Sequence, residues 1–137
     1  MPRRSDAVFE SKINRFGHQN FDSCRRFAFF CRDVSWIARD RWDAIPPQRR
    51  RGFAPLCPDF VAELRSPTDR RRDLRAKMRE YRACGARLGW LIDPTRRVVE
   101  VYRPGADRVT LTDPATLPGE DVLPGFMLEL KAIFDWS

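Results

Sequence analysis

Short apolar runs separated by turn residues dominate the second half of this chain. Residues 60–64 (FVAEL), 88–92 (LGWLI), 98–102 (VVEVY) and 109–111 (VTL) have the length and the β-branched or aromatic content of strands. Asp93-Pro94 joins the second of these runs to the third, and Pro104-Gly105 makes the next turn, so a series of hairpins is expected. Upstream, 27–30 (FAFF) and 34–37 (VSWI) predict two further strands, with Asp33 at the entrance of the second. A short helix over 39–44 is stopped by Pro46 and Pro47, and the basic stretch 48–52 reads as a loop. The first 26 residues are polar and weakly periodic, and predict no element. The tail from Leu123 to Phe134 predicts a last strand and a short helix.

Between 67 and 84 the period changes from two to 3.6, and a long helix is expected. Ser66 stands as its N-cap, Pro67 at its first position and Asp69 as the acid of an S-x-x-D box, with Gly85 ending it. At 100° per residue, Leu74, Met78, Tyr81 and Cys84 form one apolar stripe, and Lys77 falls inside it. Arg72, Arg75, Arg79 and Arg82 project to another side. Beyond the first turn Lys77 is therefore the only basic residue expected to face the sheet. A buried ammonium needs an anionic partner to offset its desolvation. Three arrangements satisfy Lys77: a carboxylate or phosphate from the sheet, Asp73 one turn away, or a snorkelling head group in water. A methionine at 77 keeps the packing stem and is expected to hold or raise stability.

The strands place acids at their ends. If 33–37 and 60–64 pair antiparallel, the start of one lies beside the end of the other, and Asp33 meets Glu63 at one edge of the sheet. Two such carboxylates are hard oxygen ligands for Mg²⁺, although ordinary strand-end acids give the same spacing. Asp59 lies about 13 Å from Glu63 along the strand, too far to share one ion. Arg65 returns to the face of Glu63 and can contact a phosphate.

Composition narrows the partners. The chain has 137 residues, enough for one domain, with 33% charged residues and a net charge of +7. The basic excess, mostly arginine, favours a polyanion such as nucleic acid. No apolar run approaches the roughly 20 residues that span a bilayer, and no secretory leader is visible, so a cytoplasmic protein with no membrane partner is expected. Cys24, Cys31, Cys57 and Cys84 form no CxxC pair and have only His18 as an imidazole companion. Reduced, partly buried thiols are expected rather than a zinc knuckle.

The stretches PDFVAELRSPTD (58–69), KMREY (77–81) and GARLGWLIDP (85–94), with RDVSWI (32–37), VVEVYRPG (98–105) and GEDVLPGF (119–126) in the same order, resemble the Uma-type restriction endonuclease family of the PD-(D/E)xK nuclease superfamily. The resemblance covers roughly residues 32–135. It implies an α/β, restriction-endonuclease-like domain over 32–137, with a central mixed sheet and a long flanking helix, preceded by a divergent or truncated segment over 1–31. It implies Mg²⁺-dependent hydrolysis of phosphodiester bonds, with Mn²⁺ as a substitute, and nucleic acid, DNA above all, as the partner; a homodimer is compatible with it. Asp33 matches the motif's Asp and Glu63 its Glu; both would hold the metal. Arg65 stands where the motif lysine is usual, and Lys77 is the candidate for that lysine moved to the helix, completing a catalytic set of Asp33, Glu63 and Lys77. Arg65, Arg72, Arg75 and Arg79 would hold the nucleic-acid backbone. Arg32 replaces the proline that usually precedes the motif Asp, and the family's upstream helix and first strand are not evident. A catalytically inactive binding protein of the same fold is the alternative.

Overall fold

The computed structural model describes residues 7–10, 33–50 and 57–135. The expected strand at 27–30 lies outside them. Six strands form one sheet in chain order, β1 (Ala7–Glu10), β2 (Asp33–Ala38), β3 (Phe60–Leu64), β4 (Leu88–Asp93), β5 (Val98–Tyr102) and β6 (Val109–Thr112). Only β3 and β4 run parallel, because the long helix between them carries the chain back to the same edge; the other neighbours are antiparallel. This is the mixed sheet expected of the restriction-endonuclease-like class. Two short helices, α1 (Arg39–Asp43) and α2 (Pro47–Arg50), follow β2.

Three expectations are corrected. Strand β1 lies within the segment that predicts no element, and its four residues are too few to show a period. Residues 47–50 are helical rather than looped, since proline is well suited to a first helical turn. The long helix α3 spans Arg71–Ala83, with Arg70 as N-cap. The Ser66–Asp69 box instead closes a separate turn, in which the Ser66 amide donates to Asp69 Oδ2 at 2.8 Å. Gly85 follows the helix at φ +110°, a conformation that costs glycine little.

Strand alternation sorts the sheet into two faces. Phe60, Leu88, Trp90, Ile92, Val99 and Val101 point to one. The tail covers them with Leu117, Val122, Leu130 and Phe134, through a two-stranded sheet of β7 (Thr116–Pro118) and β8 (Met127–Glu129) and the short helix α4 (Lys131–Phe134). Trp90 meets Phe60 edge to face, with ring centroids 4.8 Å apart. On the other face α3 packs Leu74 and Met78 onto Val61, Leu91 and Tyr102, with Tyr81 beside them. Gly89 permits this approach: a Cβ there would stand 2.7 Å from Met78 Cε.

Among the described residues the cysteines depart from expectation at Cys84. Cys57 is a free, buried thiol, pushed up to about 11 chiefly by burial, but Cys84 is disulfide-bonded. The burial that keeps Cys57 protonated does not extend to Cys84, which is half-exposed just beyond α3. Cys24 and Cys31 lie outside the described residues.

Candidate active site

Antiparallel pairing of β2 with β3 makes Asp33 and Glu63 direct Cα partners. The strand ends therefore meet as their spacing predicts. Glu63 shares strand parity with Val61 and so lies on the face covered by α3.

Lys77 comes down from the helix to this pair. Its Nζ donates to Glu63 Oε1 at 2.9 Å, and both side chains are 8% exposed. The sheet carboxylate is thus a partner of Lys77, while Asp73 stays exposed beside Arg72. The head group is not in water, so snorkelling does not describe it. An arginine at 65 does not leave this face without a basic group, because α3 supplies one from above.

Helical geometry explains a second ion pair that the apolar stripe does not reveal. Residues two apart on a helix differ by about 200° and leave opposite flanks. With α3 lying over β4, Lys77 reaches β3 on one side and Arg75 reaches β5 on the other, where its guanidinium grips Glu100. Lys77 is therefore not the only basic side chain of this helix aimed at the sheet. Arginine is long enough to reach down from a flank position.

Glu100 is the buried acid that sequence reasoning missed. It is the Cα partner of Leu91, which is itself the partner of Glu63, so a row of acid, leucine and acid crosses β3, β4 and β5. Burial raises the Glu100 carboxyl, but hydrogen bonds from Arg75 and Tyr102, with the charges of Arg75 and Arg108, outweigh it and hold it below its ordinary value. Tyr102 donates to Glu100 Oε2 at 2.9 Å, and burial followed by this acid pushes its phenol up to about 12. A clue was present: Glu100 shares strand parity with Tyr102, inside an otherwise apolar run.

The remaining candidates occupy distinct places. Arg65 binds Asp93 Oδ2 at 3.0 Å and the carbonyl of Asp69, and so ties β4 to the turn before α3. Arg72 is exposed, 3.8 Å from Asp73. Arg79 is exposed on the flank of α3 near Tyr102. Asp59 is held away from the pair by Arg41 at 2.6 Å and by the amide of Ala38.

Among the described residues three buried polar atoms have no hydrogen-bond partner, Trp36 Nε1 and two that suit a hydrated site. Ser35 Oγ lies two residues from Asp33, and Glu80 Oε2 lies one turn beyond Lys77. Orphan acceptors of this kind need a water or a cation. No group of three metal-ligating side chains converges among the described residues. Two carboxylates nonetheless fit Mg²⁺, which keeps several waters and completes its shell with substrate phosphate.

Fold and paired acids together define a protein of the restriction-endonuclease-like class. A family model described as "Putative restriction endonuclease", Uma2, matches residues 21–131, and the chain belongs to that family. Among solved structures, the chain is similar to the crystal structure of "a putative nuclease belonging to DUF820" from Anabaena variabilis ATCC 29413, at 26% identity and a TM-score of 0.61. The match covers 75% of this chain and 58% of that one, so the chain spans little more than half the length of its structural relative. No curated protein matches. No helix among the described residues is long and apolar enough to cross a membrane.

Proposed function

We propose that this chain is a metal-dependent endonuclease that hydrolyses phosphodiester bonds of DNA. The observation that carries the reading is the register of Asp33 with Glu63, joined by the buried Lys77 ammonium 2.9 Å from Glu63 Oε1. Asp33 and Glu63 are the residues that would hold Mg²⁺ or Mn²⁺. When bound, such an ion withdraws charge from a phosphate oxygen and makes a water more acidic.

The chain's own groups account for the rest. Lys77 presents a fixed positive charge where the phosphorane gains negative charge, and its burial strengthens that interaction. Glu63 fixes the ammonium's position. Water forms the new P–O bond, the ester P–O bond breaks, and the departing oxygen takes up a proton. Because Arg65 and Arg75 are engaged by Asp93 and Glu100, the backbone is held chiefly by Arg72 and Arg79 among the nominated arginines. Contacts of this kind orient a strand without reading its sequence.

Glu63→Gln tests the assignment, because it removes a ligand charge with little change of shape. Plasmid and single-stranded substrates would be incubated with wild type and variant, with and without Mg²⁺ or Mn²⁺. Cleavage by wild type and its loss in the variant, with DNA binding at low salt retained, is the expected result. Cleavage surviving in Glu63→Gln overturns the site. Wild type that binds DNA but never cuts points to an inactive nuclease-fold binding protein.

A further inference from the structure

The row of acids ends at β5, but the positive charge on α3 does not. Arg79 and Arg82 continue the flank from which Arg75 leaves, one and two turns further on. Together with Tyr102, Asp107 and Arg108 they line a cavity of about 300 Å³. That volume is at the lower end of small-molecule sites, enough for a phosphate with part of what it is attached to. From its lining residues, this cavity lies between α3, the end of β5 and the β5–β6 connection, on the flank of α3 away from Glu63. Tyr102 is about 12 Å from Glu63, being two strands across the sheet and two residues along it.

We infer that this cavity is a binding site for a phosphate group. Three guanidiniums face one carboxylate, Asp107, which leaves two net positive charges in the lining. Arg82 is fixed in place by donating to the Ala106 carbonyl at 2.8 Å and by standing over the Tyr102 ring, 6.0 Å from its centroid. Arg108 stays 3.8 Å from Glu100, an acid already gripped by Arg75 and Tyr102. Arg79 has no acidic partner among the described residues. Tyr102 points its phenol at Glu100, so it supplies the floor of the pocket rather than a hydrogen bond to the ligand. Guanidinium forks around a concave space offer planar, multidentate donors from which phosphate oxygens can accept.

The shared chemistry is a phosphate monoester or diester, and two sources fit it: a non-scissile phosphate of the nucleic acid, or a free nucleotide. The first rests on the endonuclease reading and gives the substrate a second grip across α3 from the acid pair.

The test measures binding in the absence of divalent metal, so that failure of cleavage leaves it interpretable. Affinity for a fluorescent DNA duplex would be followed against salt for wild type, Arg79→Gln, Arg108→Gln, Asp107→Asn and the control Arg96→Gln, which sits in the β4–β5 turn at the opposite end of β5. Each lost phosphate contact should lower the slope of log K against log salt by about 0.9. The two pocket arginine variants should show that loss and the control should not. Asp107→Asn should tighten binding about two- to fivefold, since it removes the one opposing charge. In a second arm, inorganic phosphate and a nucleoside monophosphate would be titrated while the arginine Nε–H signals are followed by NMR. Unchanged DNA slopes with monophosphate binding that is lost in Arg79→Gln keep the phosphate site and assign it to free nucleotide. Unchanged slopes with no pocket-dependent binding of either small anion overturn the inference. Loss of slope in a protein that never cleaves separates this site from the nuclease reading, because the phosphate site then stands without it.

Discussion

The two faces of the central sheet are made by the same three strands and packed by different means. On the tail side, Phe60, Trp90, Ile92, Val99 and Val101 meet an apolar cover with no buried charge in the cluster. On the helix side, Val61, Leu91 and Tyr102 share the face with Glu63, Asp93 and Glu100, each paired with a basic side chain. Hydrophobic burial alone holds the first face, at roughly 25 cal/mol for each Å² removed from water. The second carries three acids whose desolvation the ion pairs offset only in part, and well-packed apolar residues in their place would be as stable or more so. Stability therefore accounts for the first face and leaves the second unexplained. The proposed function, which needs charges at set positions, would account for it.

The largest effect should come from the apolar face. Trp90 is 2% exposed and packs between Phe60 and Phe126. Trp90→Ala should cost about 3–5 kcal/mol, the range for a large aromatic lost from a core that collapses only partly. Urea unfolding read by circular dichroism measures it. A loss below about 1 kcal/mol would show that the tail does not cover this face as tightly as the contacts indicate.

Substitution at the helix face should behave differently, because there the partner matters more than the packing. Lys77→Met keeps the stem but leaves Glu63 buried without its ammonium, so stability should fall by about 3 kcal/mol. This reverses the sign expected from the helix alone, where no partner for Lys77 was fixed. Glu63→Gln/Lys77→Met removes both charges and should recover most of the loss. The pairing energy is the difference between the double variant and the sum of the singles, measured without divalent metal. Additive single effects would mean that the two groups do not depend on each other.

The contrast between faces also sets what the sequence could disclose. Apolar runs with β propensity marked β2 to β6 because period and turn chemistry agree there, and the register of Asp33 with Glu63 followed once those two strands were taken as antiparallel neighbours. The 3.6 period singled out Lys77 but did not choose among its three partners, since that choice depends on which strand lies beneath the helix. Glu100 and Asp93 escaped for a related reason. A lone acid in a strand ordinarily faces water, and only the crossing of α3 over β4 shows that both are covered. Arg65 and Arg75 read as phosphate ligands by charge and position, whereas their acidic partners are 28 and 25 residues away in sequence. Strand β1 was too short to carry a pattern and became visible only through its pairing with β2.

The smallest effect probes the far end of the polar face. Tyr102→Phe removes one hydrogen bond to Glu100 and leaves Arg75 in place, so near neutral pH it should cost about 1 kcal/mol. Its dependence on pH has two limbs. Glu100 is held below its ordinary value of 4.5, so its pairing stabilises the fold above that pH and is lost as pH falls through the depressed folded value. Tyr102 is pushed up from 10 to about 12, so its contribution is complete below pH 10 and is lost as pH rises toward 12. The difference in stability between wild type and Tyr102→Phe should therefore be level from about pH 5 to pH 10 and shrink on either side. Urea midpoints across this range measure it, with the Trp90→Ala difference as a reference that no titration of Glu100 or Tyr102 should bend. A Tyr102→Phe difference that is equally flat to pH 12 would mean the phenol is not bound to Glu100, and that the polar face ends at the Arg75 pair.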